Sequence, residues 1–231
     1  MRSTSLDGRI RDAFPLPVER PDFAPFSWKL DGGGRELILD LLTARDVRVM
    51  VEVGVLYGGS ALQWLRHKAD LTLIGIDPWE FDAEQVRYWW GNRHAYGIEN
   101  LDQGDLSDDA FLHQLLRPEA AYHATISNLW AFRDRFIPVR GRSPEMLHAV
   151  ADLGGTPDLV YFDSDKELTD LEVCRALWPS AIISGDDWWW SPEGQPETYP
   201  VQQAVHAFAA EHKMSVMNHT STWYLAPPSV N

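Results

Sequence analysis

Apolar positions along the chain fall into two kinds of pattern. Short runs rich in β-branched and other apolar residues predict buried strands, and patterns with a period of 3.6 residues predict helices between them. The predicted strands are 47–53, 71–77, 135–140, 158–163 and 181–187, followed by 214–217 and 222–225 as an antiparallel pair. This alternation predicts an α/β protein with a Rossmann-like, doubly wound, mostly parallel sheet of seven strands.

Several helices are predicted from the same patterns. They are 35–45, a helix from Ser60 onward, 109–116, 120–133, a helix after Pro144, a helix with Leu168, Leu171, Cys174 and Leu177 on one side, and a helix around 201–209. Because proline cannot donate a ladder hydrogen bond, Pro138 predicts an edge position for the third strand.

The chain divides into an arm and one domain. Residues 1–34 are rich in proline, glycine and charge, and we expect an arm anchored by Phe23, Phe26 and Trp28. A homodimer is compatible with an arm of this kind. Residues 35–231 form the domain, and its segment 78–135 is long enough between two strands to predict an aromatic insert or lid.

A glycine-containing turn follows the first strand, in the pattern Glu52-x-Gly54-x-x-x-Gly58-Gly59-Ser60, with Tyr57 inside it. A strand, a glycine turn and a helix start form a common site for nucleotide-like ligands. Leu56 stands where a dinucleotide fingerprint has its second glycine, so a pyrophosphate is disfavoured. We expect Ser60 to be the helix N-cap. The alternative is an ordinary tight turn without a ligand.

Polar residues follow the next strands as well. Asp77 lies roughly 20 residues beyond the glycine turn, the offset at which a carboxylate reaches ribose hydroxyls, although it is also compatible with a helix cap. Ser143 and Pro144 predict an N-cap followed by a proline in the first helical position. Four carboxylates, those of Asp163, Asp165, Asp186 and Asp187, follow the fourth and fifth strands. Their mutual repulsion is relieved by a hard divalent cation with oxygen ligands.

The glycine turn resembles motif I of the class I S-adenosylmethionine-dependent methyltransferases. The Asp163-Ser164-Asp165 and Gly185-Asp186-Asp187 segments, with Gly75–Trp79, are similar to the metal-dependent macrocin and sugar O-methyltransferases. The resemblance implies S-adenosylmethionine as cofactor, with Mg²⁺ or Mn²⁺. It implies cofactor contacts at Glu52, Gly54, Tyr57, Gly58, Ser60, Asp77, Ser143 and Asp163, metal ligands at Asp163, Asp186 and Asp187, and a general base at Asp165.

Two positions depart from that group. Ser164 replaces a glycine, and Lys166 stands where related sequences often have histidine or an aliphatic residue. A lysine here is able to pair with a carboxylate and to replace the ion electrostatically. The metal is therefore less well supported than the cofactor.

Composition narrows the function classes. The 34 acidic residues exceed the 20 basic ones, and the net charge of −14 argues against nucleic acid as a partner. No apolar run is long enough for a membrane span, and no secretory leader is evident. Cys174 is the single cysteine, so no intrachain disulfide forms and a cytoplasmic location is expected. Eleven tryptophans, including Trp188–Trp190, predict aromatic walls around a substrate pocket.

The leading hypothesis is methyl transfer from S-adenosylmethionine to a hydroxyl of a small molecule such as a sugar, natural product or phenol, assisted by a divalent metal. His94, in the aromatic insert, is a candidate base or substrate contact, with a structural hydrogen-bonding role as its alternative. Two other readings stay open. One is an NAD(P)-dependent oxidoreductase, and the other is a non-catalytic interaction protein that retains the fold.

Overall fold

A computed structural model describes residues 6–23, 34–93, 107–164, 166 and 168–226. The strands are β1 (Val49–Val53), β2 (Thr72–Asp77), β3 (Phe136–Arg140), β4 (Leu159–Phe162), β5 (Ile182–Gly185), β6 (Ser215–His219) and β7 (Thr222–Ala226). The α-helices within these ranges are α1 (Leu6–Ala13), α2 (Glu36–Ala44), α3 (Gly59–His67), α4 (Ala83–Gly91), α5 (Asp108–Leu115), α6 (Ala120–Leu129), α7 (Glu145–Asp152), α8 (Leu171–Leu177) and α9 (Pro200–Glu211). A 3₁₀ turn, Trp130–Phe132, extends α6.

All seven strands form one sheet in the order β3-β2-β1-β4-β5-β7-β6. Strands β1 to β5 are parallel to their neighbours, whereas β7 pairs antiparallel with both β5 and β6. The predicted doubly wound sheet with a C-terminal antiparallel pair is confirmed. Strand β3 is an edge strand, as Pro138 predicted.

The register aligns the carboxyl ends of the parallel strands. Val53 at the end of β1 lies opposite Ile76 of β2 and Phe162 of β4, and Phe162 lies opposite Gly185 of β5. The residues that follow these strands therefore begin at one edge of the sheet. This is the edge at which ligands bind in open α/β sheets.

Both faces of the sheet are covered by helices. Alternate residues of a strand point to opposite faces, so Met50 packs with Trp64 of α3 and Leu129 of α6, while Val51 packs with side chains of the opposite layer. That second layer includes Val150 of α7, Cys174 of α8, Val205 of α9 and Ile10 of α1. The two apolar clusters give the sheet a core on each side.

Two helices lie where the sequence did not predict them. Helix α1 is within the segment interpreted as an arm, and α4 is within the aromatic insert. Phe23 is buried against the domain, while Phe26 and Trp28 are outside the described residues. No helix in the described ranges combines the length and the apolar content that a bilayer crossing requires.

Candidate functional site

The glycine turn after β1 depends on backbone conformations that favour glycine. Gly54 has φ of 90°, and a Cβ placed there would lie 2.2 Å from the carbonyl oxygen of Asp163. Gly58 has φ of 81° and is the N-cap of α3. Glycine is the residue that adopts such angles at least cost. The absence of a side chain at Gly54 thus allows the end of β1 to approach the end of β4.

Glu52 and Ser60 lie inside the protein, between β1 and α3. The Glu52 side chain has no exposed surface, and the Ser60 hydroxyl donates a hydrogen bond to its Oε1. Burial raises the pKa of Glu52 to about 8, although the bond from Ser60 favours the charged form. The prediction that Ser60 caps α3 is wrong, because Gly58 occupies that position. A cofactor contact of either side chain stays a prediction.

Asp77 connects the end of β2 to the glycine turn. Its Oδ2 accepts hydrogen bonds from the backbone N–H groups of Val55 (2.8 Å) and Leu56 (2.9 Å), and its Oδ1 accepts one from Trp79 (2.6 Å). Burial raises its pKa despite these three bonds. Since each carboxylate oxygen has more than one acceptor direction, this arrangement leaves capacity for a ligand hydroxyl. The structure brings Asp77 to the turn, as the sequence predicted.

A cavity of about 630 Å³, here called the strand-end cavity, opens at this edge of the sheet. Its volume is within the range of small-molecule sites. Four residues predicted as cofactor or metal contacts line it: Gly54, Asp77, Ser143 and Asp163. Residues that the sequence did not single out as site residues also line it, including Phe81, Gln85, Trp89 and Arg142. Glu52, Tyr57, Gly58, Ser60, Asp186 and Asp187 are not among its lining residues.

Tyr57 faces a second cavity, of about 870 Å³, which shares Phe81, Gln85 and Arg142 with the strand-end cavity. The Tyr57 ring lies 6.5 Å from the Phe81 ring, and burial raises the pKa of its hydroxyl. The two cavities adjoin at the aromatic insert. Tyr57 is therefore placed beside the strand-end cavity and not in its wall.

The aromatic insert forms part of the cavity wall. Phe81 and Trp89 meet edge to face with ring centroids 5.1 Å apart, and both line the strand-end cavity. Trp188–Trp190 do not line it: Trp188 is buried in the core and packs against His206, while Trp189 and Trp190 are exposed. These three residues are therefore not part of the wall of the strand-end cavity, and a contact of this run with a substrate stays a prediction. His94 is outside the described residues.

Ser143 lines the cavity but does not cap a helix. Helix α7 begins at Glu145 and its N-cap position is Pro144, without a side-chain cap hydrogen bond. The predicted arrangement of a Ser143 cap and a Pro144 in the first helical position is therefore wrong. Ser143 lies after the carboxyl end of β3, next to Arg142. A contact of Ser143 with a bound ligand stays a prediction.

The carboxylates after β4 and β5 pair with basic side chains. Arg35, which precedes α2, forms ion pairs with Asp186 Oδ2 at 2.5 Å and with Asp163 Oδ2 at 3.4 Å. Asp186 Oδ1 accepts a hydrogen bond from the Ser221 hydroxyl at 2.6 Å. Lys166 forms an ion pair with Asp187 and lies 4.0 Å from Asp163 Oδ1. Asp165 is outside the described residues.

Asp163 is the member of this cluster that borders the strand-end cavity. Burial, with the nearby charges of Asp186 and Asp187, raises its pKa to about 7, while Arg35 and Lys166 act in the opposite direction. Arg35 and Lys166 lower the pKa of Asp163, and burial together with the two neighbouring carboxylates raises it by more.

The predicted ligand set does not fit a divalent ion. Three metal ligands must place their oxygens around one point, but Asp163, Asp186 and Asp187 do not converge in this way. In the described part of the chain, the group that does converge is Glu172, Glu211 and His212. That group is far in sequence from the predicted ligands and is largely exposed. The three predicted ligands are instead held by Arg35 and Lys166.

Arg35 and Arg142 are the charged residues that sequence reasoning missed. Arg35 follows a run of three glycines and belongs to no motif, so no local pattern marks it. One indirect signal was present: a cluster of carboxylates requires a compensating cation, and only Lys166 was considered for that role. Arg142 lies between two residues, Gly141 and Ser143, that the sequence placed at the end of the third strand.

Comparisons with solved structures identify the fold. An O-methyltransferase from Bacillus cereus in complex with S-adenosylhomocysteine (SAH) is 13% identical, with a TM-score of 0.53 over 97% of this chain and 90% of its own. Precorrin-6y C5,15-methyltransferase from Geobacter metallireducens is 12% identical, with a TM-score of 0.52 over 93% of both chains. No protein-family model matches the chain, and no curated protein does. At these identities, the likeness shows that the chain has the methyltransferase fold.

Proposed function

We propose that this protein transfers a methyl group from S-adenosylmethionine to a hydroxyl of a small molecule. The observation that carries the proposal is the strand-end cavity, which is lined by Gly54 of the glycine turn, Asp77 of β2 and Ser143 after β3. The sequence resemblance implies that the cofactor contacts these three residues. The cavity lies at the edge where open α/β sheets bind ligands.

The residues present fit such a cofactor. Asp77 is held rigidly by three backbone hydrogen bonds and can accept from a ribose diol. Phe81 and Trp89 offer aromatic faces, which attract cationic groups. When bound, S-adenosylmethionine supplies an electrophilic methyl group on a sulfonium. The chain's own contribution is then to orient the acceptor and exclude water, and orientation alone supplies about 7–11 kcal/mol in well-aligned systems.

The acceptor is a separate part of the proposal. The two structural neighbours are named as an O-methyltransferase and as a precorrin-6y methyltransferase, so the fold alone leaves the acceptor open. The hydroxyl acceptor is supported by the sequence resemblance around Asp163 and Asp186. Asp165 and His94 remain the predicted groups for proton transfer, and replacing each with asparagine or glutamine tests these roles once an acceptor is in hand.

The experiment is a calorimetric titration with SAH of the full chain and two variants. Wild-type protein should bind one SAH per chain. Trp89→Ala should bind about two- to tenfold more weakly, since an aromatic contact contributes about 0.5–1.5 kcal/mol beyond its buried area. Tyr88→Ala is the matched control, because Tyr88 is the exposed neighbour of Trp89 on α4 and lines neither cavity. No heat from the wild type, or equal losses in the two variants, would contradict the proposal.

An NAD(P)-dependent oxidoreductase is disfavoured by one observation. Leu56 replaces the glycine that allows a backbone to approach a pyrophosphate. It adopts φ of 52° and lines the strand-end cavity, so a Cβ stands where the dinucleotide fingerprint has none. Titration with NADH under the same conditions should give no heat.

A further inference from the structure

In the described part of the chain, three carboxylates that follow β4 and β5 share their neighbourhood with two side-chain cations. Asp163, Asp186 and Asp187 carry three negative charges when ionised, and Arg35 and Lys166 carry two positive charges. The sum is −1, the same as three carboxylates and one divalent ion would give. Arg35 and Lys166 therefore supply these three carboxylates with the same positive charge as one divalent ion would.

Several oxygens of these carboxylates also have hydrogen-bond or ion-pair partners. Both oxygens of Asp186 have partners, with Ser221 on Oδ1 at 2.6 Å and Arg35 on Oδ2 at 2.5 Å. Asp187 Oδ2 accepts a hydrogen bond from Lys166. Charge-assisted hydrogen bonds of this kind are strong, and a metal ion that binds the same oxygens would compete with them for the negative charge.

Both cations are held in position by burial and by their carboxylate partners. The Arg35 side chain is 12% exposed and bridges two strand ends, since Asp163 follows β4 and Asp186 follows β5. Lys166 lines the strand-end cavity next to Asp163 and Ser164. A buried cation is costly unless it is paired, and these carboxylates supply the pairing. Adding a divalent ion would bring two more positive charges against both cations.

We propose that Arg35 and Lys166 replace the divalent metal in this site, so that the protein binds its ligands without a metal ion, with Lys166 as the cation that lines the strand-end cavity. The inference extends the proposed function and rests on it for the role of the site in methyl transfer. Under this proposal the chain differs in its metal requirement from the metal-dependent O-methyltransferases that its aspartate-containing segments resemble.

The test is a titration of the full chain with Mn²⁺ alone at neutral pH, with free Mn²⁺ followed by electron paramagnetic resonance. Wild-type protein should show no tight stoichiometric site. Lys166→Gln, which releases Asp187, should bind Mn²⁺ at least about tenfold more tightly than wild type, the effect of removing one nearby positive charge. Arg35→Gln, which releases Asp186 and Asp163, is a second variant with the same expected direction.

Lys68→Gln is the matched control, because Lys68 also lies between two aspartates, at 3.1 Å from Asp46 and 2.8 Å from Asp70. Both of these aspartates precede a strand, β1 or β2, whereas the site aspartates follow one. An equal gain in this variant would attribute the effect to net charge and overturn the proposal. So would one tight Mn²⁺ per wild-type chain that Asp187→Asn removes, or no gain in either site variant. SAH titration of the same samples, with and without EDTA, keeps the outcomes separate, because absence of SAH binding contradicts the proposed function and leaves the Mn²⁺ result readable.

Discussion

Glu52 is a carboxylic acid on a central strand with no exposed surface. Burial disfavours its charged form and raises its pKa to about 8, so the folded protein keeps this proton at neutral pH while the unfolded chain releases it near the ordinary value of 4.5. The unfolded state then binds fewer protons than the folded state between these two values. The contribution of Glu52 to stability is complete below about pH 4.5 and is lost as the pH rises toward 8.

We predict that Glu52→Gln removes this loss. Relative to wild type, the variant should gain unfolding free energy as the pH rises from 5 to 8, at up to about 1.4 kcal/mol per pH unit. Urea unfolding at pH 5, 6.5 and 8 measures the effect. Glu84→Gln, at an exposed position in the first turn of α4, is the control and should follow the wild-type profile. Parallel pH profiles for wild type and Glu52→Gln would show that Glu52 ionises normally in the folded state.

The residues that sequence reasoning placed wrongly share a physical cause. Serine is a residue type that N-cap positions favour, and this led to the predictions for Ser60 and Ser143. The position of a cap is set by backbone conformation, and Gly58 and Pro144 occupy the two N-cap positions. Arg35 was missed because its partners, Asp163 and Asp186, are more than a hundred residues away. Local sequence patterns predict contacts between residues close in the chain. The contacts of Arg35 instead depend on the pairing of β4 with β5, which brings Asp163 and Asp186 together.

At the scale of elements, the strands were the easiest to predict. Buried parallel strands are near-continuous apolar runs, and 47–53 and 158–163 contain β1 and β4 with only their ends overestimated. Helix α4 was missed because it buries a narrow face: Val86 and Trp90 are buried, while Tyr88 between them is exposed. Two buried residues in nine do not make the wide apolar stripe by which a helix is recognised.

Helix α1 was missed for a different reason. It buries Ile10 against the domain, and its neighbour Arg11 donates hydrogen bonds to three carbonyl oxygens before and within β3, those of Arg133 (3.0 Å), Asp134 (2.6 Å) and Phe136 (3.1 Å). Within 8–13, the part of α1 whose burial is described, Ile10 is the one buried residue, and one buried residue leaves no periodic signal. The helix is held by its contacts with the edge of the sheet.

We therefore predict that Arg11→Ala loosens α1 from the domain. Hydrogen bonds with a charged donor contribute about 1.5–3 kcal/mol each at most, and partial exposure lowers their sum here, so a loss of about 1–3 kcal/mol is expected. Amide hydrogen exchange in α1 should accelerate, while exchange in β1 should not. Arg9→Ala is the control, since Arg9 is exposed on the same helix. Unchanged exchange in Arg11→Ala would mean that these hydrogen bonds do not anchor the helix.

At the scale of the whole molecule, the glycine turn, Asp77 and the aromatic insert all line the strand-end cavity. A ligand that binds only the folded state raises the unfolding free energy by RT ln(1 + [L]/Kd), which is about 2.7 kcal/mol when the ligand is at 100 times Kd. The strand-end cavity is lined by residues after four different strands, β1, β2, β3 and β4. Its occupant is therefore coupled to the cooperative unfolding of the sheet and not to one loop.

We predict that SAH at 100 times its Kd raises the melting temperature by roughly 5–10 °C, because each kcal/mol shifts Tm by about 2–4 °C for a chain of this size. Thermal unfolding followed by circular dichroism measures the shift, with NAD⁺ at the same concentration as the comparison ligand. The shift should persist in EDTA if Arg35 and Lys166 neutralise the aspartates. A shift with NAD⁺ and none with SAH would favour the dinucleotide alternative, and no shift with either would favour a non-catalytic protein that keeps the fold. Because any ligand that binds only the folded state raises Tm, the shift by itself measures binding, and a smaller shift in Trp89→Ala than in wild type would place the ligand in the strand-end cavity.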